Sequence, residues 1–318
     1  MAWVDAFNGD ADGICALQQI RLAEPVESAL VTGVKRDIGL LERVTAGSGD
    51  EVTALDISLD KNREALGRLL DAGARVRYFD HHFAGDLPEH PRLFLRIDAS
   101  PDRGTSLLVD DYLAGRHRRW AVVGTFGDNL NESARRAAEP LALPPADLDR
   151  LRELGVLLNY NAYGERVEDL HVAPDVLFRR VQPYHDPLAF VAEDPAFGQL
   201  REGFRHDQDR ALVLRPEIET ARVAVYVLPG EAWARRVSGV FANDLARGAP
   251  QRAHALLTRR TDGGYVVSVR APLTTKTGAD GLCRQFPTGG GRQGAAGINR
   301  LPDDLYDDFV RRFVEVFT

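Results

Sequence analysis

Four short segments carry residues that could do chemistry, and the first three each follow an apolar, strand-like run. Asp10 and Asp12 stand in Asn8-Gly9-Asp10-Ala11-Asp12-Gly13, directly after Trp3 to Phe7. Asp56 stands in Leu55-Asp56-Ile57-Ser58 at the end of a second apolar run, and Asp80-His81-His82 follows Phe79 at the end of a third. Carboxylates gathered at one place repel one another and resist ionising unless a positive charge neutralises them. Neutral imidazole among carboxylates suits manganese, iron or zinc better than calcium. Two cations about 3.5–4 Å apart, sharing a carboxylate and a water, would suit attack on phosphorus. No serine or cysteine is placed beside an activating base. Cys15 falls within an apolar helical stretch and reads as a small buried residue.

These positions can meet only if the elements that carry them share an edge. Strand-like segments Trp3 to Phe7, Ala29 to Val34, Glu51 to Ile57, Ala74 to Phe79 and Leu93 to Ile97 alternate with helical ones at Ile14 to Leu22 and Leu59 to Leu70. That order predicts an α/β fold with a mostly parallel sheet and helices on both faces. In an open parallel sheet the carboxyl ends of the strands lie on one edge, where ligands bind. From Thr105 to Val181 the pattern turns helical, with segments at Ser106 to Leu113, Arg119 to Phe126, Glu132 to Leu141 and Ala146 to Leu158. Prolines 183 and 187 mark a linker, and alternation then resumes in a smaller α/β domain. It has strands at Arg222 to Leu228, Ala253 to Thr258 and Tyr265 to Arg270, and a helix at Glu231 to Arg247. The expected organisation is a metal-binding domain over 1–183, a linker over 184–205 and a substrate-binding domain over 206–318. In the closing helix Leu305, Phe309, Phe313 and Phe317 share a face, which is core packing.

Composition narrows the class. The 318 residues are 44% hydrophobic and 27% charged, ordinary for a folded chain, and length alone suggests two domains at roughly 100–200 residues each. No apolar run approaches the roughly 20 residues needed to span a bilayer, and Met1 to Asp5 lacks the features of a signal peptide. Two cysteines cannot build a disulfide framework, so the expected location is cytoplasmic. A net charge of −7 argues against a protein that coats long duplex DNA, though not against a local site for a short phosphorylated ligand.

Asp10-Ala11-Asp12-Gly13, Asp56, Asp80-His81-His82 and Gly127-Asp128-Asn129, in that order, resemble the four motifs of the DHH phosphoesterase superfamily. Thr288-Gly289-Gly290-Gly291-Arg292-Gln293-Gly294-Ala295-Ala296-Gly297, with Ser268-Val269-Arg270 before it, resembles the glycine-rich signature of the DHH-associated C-terminal domain. The likeness extends to RecJ-like and NrnA-like members. It implies a metal-dependent hydrolase of phosphodiester or terminal phosphate bonds, using two divalent ions, usually Mn2+. By the same likeness Asp10, Asp12, Asp56, His81 and Asp128 are metal ligands, with Asp56 bridging. His82 faces the substrate as hydrogen-bond donor or general acid, and Asp80 supports it. Gly289, Gly290, Gly291 and Arg292 would bind substrate phosphate through a loop of backbone N–H groups, and Arg103 is a candidate phosphate contact.

Two positions depart from the pattern. Ala6 stands where many members have a metal-binding histidine, with Asn8 the nearest polar substitute, and Arg292 replaces a histidine. The expected substrates are short: oligonucleotides, linear dinucleotides or a 3′-phosphorylated nucleotide. No additional single-strand clamp of the RecJ kind is expected after the glycine-rich run. Homodimer formation is left open, and no membrane partner is expected. An exopolyphosphatase, a RecJ-like single-strand exonuclease and a nucleotide-binding regulator with an impaired metal site are the other readings. Taken singly the motifs have plainer meanings: Asp10 and Asp12 as helix caps, Asp128 as a turn residue, His81 and His82 as a loop pair.

Overall fold

A computed structural model describes residues 1–318. The chain divides into two compact units, Met1–Glu202 and Gly203–Thr318. The first contains β1 (Trp3–Phe7), α1 (Ala11–Ala23), β2 (Ala29–Val31), β3 (Glu51–Leu55), α2 (Leu59–Asp71), β4 (Arg75–Asp80) and β5 (Leu93–Ile97). Helices α3 (Thr105–Tyr112), α4 (Arg118–Gly127), α5 (Asn131–Ala138), α6 (Pro145–Asn161), α7 (Pro174–Val181) and α8 (Pro187–Glu193) follow, and α9 (Pro195–Leu212) carries the chain into the second unit. Residues 184–205, expected as a linker, are helical over most of their length. Pro187 and Pro195 are each the first residue of a helix, where proline's fixed φ and missing N–H cost nothing.

All five strands of the first sheet are parallel, in the order β2-β1-β3-β4-β5. The period-2 alternation of each strand sends its residues to two different apolar layers. Val4, Ala6, Val52, Ala54, Val76 and Tyr78 pack into one cluster with Leu66, Leu69 and Leu70 of α2. Phe7 contacts Phe178 of α7, with ring centroids 5.5 Å apart. The buried Asp5 receives a two-pronged hydrogen bond from Arg21 of α1, at 2.6 and 2.8 Å. Such a fork satisfies both charges where water cannot reach them. Helices therefore cover both faces, as expected.

The strand order puts a topological switch between β1 and β3: the chain leaves β1 for β2 on one side and returns to β3 on the other. Parallel sheets bind ligands just beyond the strand ends at such a switch. Asp10 follows β1 and Asp56 follows β3, so the two carboxylates flank it.

The second unit contains β6 (Ile218–Glu219), β7 (Val223–Leu228), α10 (Ala232–Gly248), β8 (Ala253–Arg259), β9 (Tyr265–Arg270), α11 (Ala279–Cys283), β10 (Gly289–Arg292), β11 (Ala295–Leu301) and α12 (Tyr306–Phe317). Its sheet runs β10-β11-β9-β8-β7-β6 and is mixed, with β7 and β8 the parallel pair. Leu282, Ile298, Phe309 and Phe313 share its core, as the four-residue aromatic spacing of the last helix predicts. The glycine-rich run is not a loop. It forms edge strand β10, with Gly290 opposite Gly297 and Gly291 opposite Ala296. Glycine is needed at 289 because a Cβ there would lie 1.8 Å from the Cys283 carbonyl oxygen.

His254 on β8 is buried, and its Nδ1 has no hydrogen-bond partner. Burial, aided by the charge of Arg252, holds its pKa down at about 4. A histidine depressed in the folded state stabilises the fold above its unfolded pKa of about 6.5, and that stability is lost as pH falls towards 4. Between pH 7 and 5 the parent should lose about 1–2 kcal/mol more than His254→Leu. Urea unfolding at the two pH values measures this, and equal losses would show that His254 is not the group responsible.

Candidate metal centre

Local backbone chemistry sets the site. Asp10 is the N-cap of α1, and its Oδ1 accepts from the N–H groups of Asp12 and Gly13 at 2.9 and 3.1 Å. The capping meaning of Asp10 is therefore correct, and it uses one carboxylate oxygen. The other meets Lys35. Asp12 points at the start of α3, where the N–H groups of Thr105 and Ser106 donate to its two oxygens at 2.6 and 2.8 Å. A helix N-terminus offers unpaired donors and a favourable dipole, so it fixes a carboxylate well. Asp56 adopts φ +59°, the left-handed region that few residues other than glycine, asparagine and aspartate enter readily. Its N–H donates to the Phe79 carbonyl at 3.0 Å, and its Oδ1 accepts from the Thr105 hydroxyl at 2.9 Å. The strained turn re-aims the carboxylate just past β3.

Asp128 caps the C-terminus of α4, its N–H bonded to the Gly124 carbonyl. Turn residue and site residue again coincide. Gly127 permits this, because a Cβ there would lie 2.2 Å from the Ala11 Cβ. The close approach brings Asp128 over the start of α1.

These carboxylates converge on one imidazole. His81 Nε2 lies 3.4 Å from Asp56 Oδ1, 3.7 Å from Asp128 Oδ2 and 4.0 Å from Asp12 Oδ2. Its Nδ1 lies 3.0 Å from the Arg103 carbonyl oxygen and must donate to it. In the neutral ring the lone pair therefore sits on Nε2 and faces three carboxylates. Acceptors facing acceptors call for a cation. Asp128 Oδ2 is buried with no hydrogen-bond partner, which such a cation would supply. Three carboxylate oxygens and an imidazole nitrogen fit a divalent transition ion or Mg2+ better than Ca2+.

The electrostatics agree. Burial pushes the Asp56 carboxyl well above its ordinary range, and the charges of Asp10, Asp12 and Asp128 add to it against a weaker pull from Lys35. Asp12 is also raised by burial, with Asp128 and Asp10 adding and His81 opposing. Burial drives the Cys15 thiol well upward, aided by Asp12 and Asp10, so it stays protonated and is no nucleophile.

Of the five expected ligands, Asp12, Asp56 and Asp128 face His81, and Asp10 lies against Asp56 while its second oxygen pairs with Lys35. Asp80 is buried and accepts from His82 Nδ1 at 2.6 Å, leaving His82 Nε2 free of that bond. For His82, burial alone would lower the pKa, but the hydrogen bond and charge of Asp80 outweigh it and the net shift is upward.

Other positions have different uses from those expected. Ala6 is fully buried in β1. Asn8 accepts from the Asp10 N–H and donates to the Lys35 carbonyl, so its amide builds the loop. The Arg103 guanidinium pairs with Asp111 and Asp98, and it is the Arg103 carbonyl that serves the site. Gly289, Gly290, Gly291 and Arg292 lie on β10 of the second unit, where Arg292 is exposed and unpaired. An extended strand does not curl its N–H groups into the expected cradle.

Lys35, Asn159, Thr105 and Ser106 belong to the site and were not singled out from sequence. Lys35 alone had a signal: it follows β2 on the same sheet edge as the aspartates.

The fold itself has known counterparts. No family model and no curated protein sequence matches the chain. Among solved structures, the manganese-bound exonuclease RecJ aligns with a TM-score of 0.62 at 17% identity, over 100% of this chain and 91% of that one. The DHH domain of a protein from a family of ribosomal proteins aligns at 0.65 and 11%, over 99% and 86%. This chain shares the fold of these proteins. A pGpG-specific phosphodiesterase from Vibrio cholerae aligns at 0.53 and 13%, over 99% of this chain and 98% of that one. In that shared fold, Asp10, Asp56 and Asp80 each stand at or just past the end of a parallel strand. No helix is long and apolar enough to cross a membrane.

Proposed function

We propose that the chain is a metal-dependent phosphoesterase that hydrolyses phosphodiester or terminal phosphate bonds of short nucleotides. One observation carries the reading: His81 Nε2, with its tautomer set by the Arg103 carbonyl, faces the carboxylates of Asp12, Asp56 and Asp128. Those four residues would hold a divalent ion. Bound there, the ion supplies positive charge at the phosphoryl group and lowers the pKa of a coordinated water.

The protein's own groups do the rest. The α3 N-terminus orients Asp12, and Thr105 orients Asp56, so neither carboxylate must reorganise when substrate arrives. His82 is held by buried Asp80, and we assign it to donate a hydrogen bond or proton to the phosphate. In the second unit, Arg292 offers an uncommitted guanidinium for a phosphate or terminal nucleotide. The first unit would do the chemistry and the second would recognise substrate. The substrate class is supported by the nucleases and nucleotide phosphodiesterase that share the fold, and by a net charge of −7, which disfavours long duplexes.

Turnover with Mn2+ or Mg2+ on short RNA, a linear dinucleotide, a 3′-phosphorylated nucleotide and polyphosphate tests the proposal. Hydrolysis of a short nucleotide, abolished by chelator, is expected. Binding without turnover of any of them would leave a ligand-binding protein instead. His82→Ala should lower kcat by about 10²–10⁴-fold, the usual contribution of a positioned proton donor. Asp80→Asn should lower it less, and the double variant should be no worse than His82→Ala alone, because Asp80 acts through His82. Multiplying losses would separate the two residues.

A further inference from the structure

Lys35 is the one strongly held cation in the acidic cluster, and its surroundings are built for it. Its backbone N–H donates to the Ala162 carbonyl at 2.9 Å, and its carbonyl accepts from Asn8 Nδ2 at 3.2 Å. The ammonium has three N–H donors. They meet three acceptors: Asp10 Oδ2, Asn159 Oδ1 at 2.9 Å and Asp128 Oδ1 at 3.4 Å. The Tyr163 ring lies 5.9 Å away and adds a cation–π contact. Asp128 spans the cluster, with Oδ1 towards Lys35 and Oδ2 towards His81.

We infer that the Lys35 ammonium permanently occupies the place of one cation of a two-ion hydrolytic site, so that this chain binds a single divalent ion. The inference rests on the phosphoesterase reading and replaces the expectation of two metals. Two-ion sites need a carboxylate set for each ion, with at least one group shared. Here the groups that share His81, Asp12 and Asp128 on one side and Asp56 and His82 on the other, are open towards a metal. The groups around Asp10 are already spent. Asp10 Oδ1 caps α1, Asp10 Oδ2 pairs with Lys35, Asn8 is committed to the loop, and Ala6 brings no donor.

The residue type supports this. The chain has 40 basic residues, of which only Lys35, Lys61 and Lys276 are lysine. Lys61 and Lys276 are exposed. A chain that otherwise favours arginine so heavily places lysine, a compact point charge, at this position. A fixed ammonium can offset charge on a phosphoryl oxygen, but it cannot be exchanged or removed by chelation.

The test is an anomalous difference map at the manganese edge from crystals soaked in Mn2+, together with metal stoichiometry in solution. One ion per parent chain, among Asp12, Asp56, His81 and Asp128 with Lys35 in place, is expected. Lys35→Ala should rise from one ion to two, since Asp10 and Asp128 then lack a partner; Lys35→Met serves if the alanine variant does not fold. Two ions in the parent with Lys35 displaced would overturn the inference and leave the phosphoesterase reading intact. A single ion in both lysine variants would also overturn it, because Lys35 would not be what excludes the second. No bound ion in the parent would overturn the inference and the proposed function together.

Discussion

Asp56→Asn should be more stable than the parent when divalent ions are absent and inert when they are present. The carboxylate of Asp56 is buried against Asp10, Asp12 and Asp128, with only Lys35 to offset them, and its pKa is driven well up as a result. Asparagine keeps the shape and tolerates the left-handed backbone at φ +59°, which alanine would not do as cheaply. It also keeps an oxygen to accept from the Thr105 hydroxyl. What disappears is a buried like charge, so the metal-free protein should gain on the order of 1 kcal/mol or more.

The sign follows from the direction of the shift. A carboxyl whose folded pKa is raised destabilises the fold as pH rises through that pKa. The gap between variant and parent should therefore widen at neutral pH and close towards acid. Turnover should fall by about 10³-fold or more, equivalent to about 4 kcal/mol of barrier. Chemical denaturation after chelation, followed by a manganese-supported assay, reads both effects. A variant that is less stable without metal, or that keeps a tenth of parental turnover at saturating manganese, would remove Asp56 from the centre of the site.

Divalent ion should also stabilise the parent strongly and selectively. An ion that binds only the folded state at a thousand times its Kd adds about 4 kcal/mol. For a unit of 202 residues, each kcal/mol moves the melting temperature by about 2–4 °C, so Mn2+ should raise it by about 8–16 °C. Because one ligand is an imidazole nitrogen, Ca2+ at the same concentration should do much less. His81→Ala should lose most of the manganese effect, whereas acidic surface patches would respond alike to either ion and ignore that substitution. Equal shifts with calcium and manganese, or a full shift in His81→Ala, would argue against a built metal site.

Much of this was legible before any coordinates. The alternation of strands and helices, with aspartates just past strand ends, implies a parallel sheet, and a parallel sheet puts those ends on one edge by its connectivity. Asp10, Asp12, Asp56 and His81 therefore came together for a reason that is local to each strand. The aromatic stripe of α12 followed equally from periodicity. The elements missed were short or began at proline: α7, α8 and α9 start at Pro174, Pro187 and Pro195, and prolines read as breaks when they also open helices. The glycine-rich run was mistaken for a loop because glycine promises freedom, whereas at 289 it answers a close contact with α11.

Local pattern by itself determined the strands, their order of chemistry and the residues that would carry charge, since these depend on neighbours a few positions away. Which atoms face which was decided only in three dimensions. Asp10 Oδ1 belongs to a helix and Oδ2 to a lysine 25 positions on; Arg103 contributes a carbonyl in place of its guanidinium; Thr105 and Ser106 hold carboxylates 49 and 94 positions earlier. Hydrogen bonds are directional and reach about 3 Å, so their pairing depends on how distant segments pack, and no spacing along the chain encodes it.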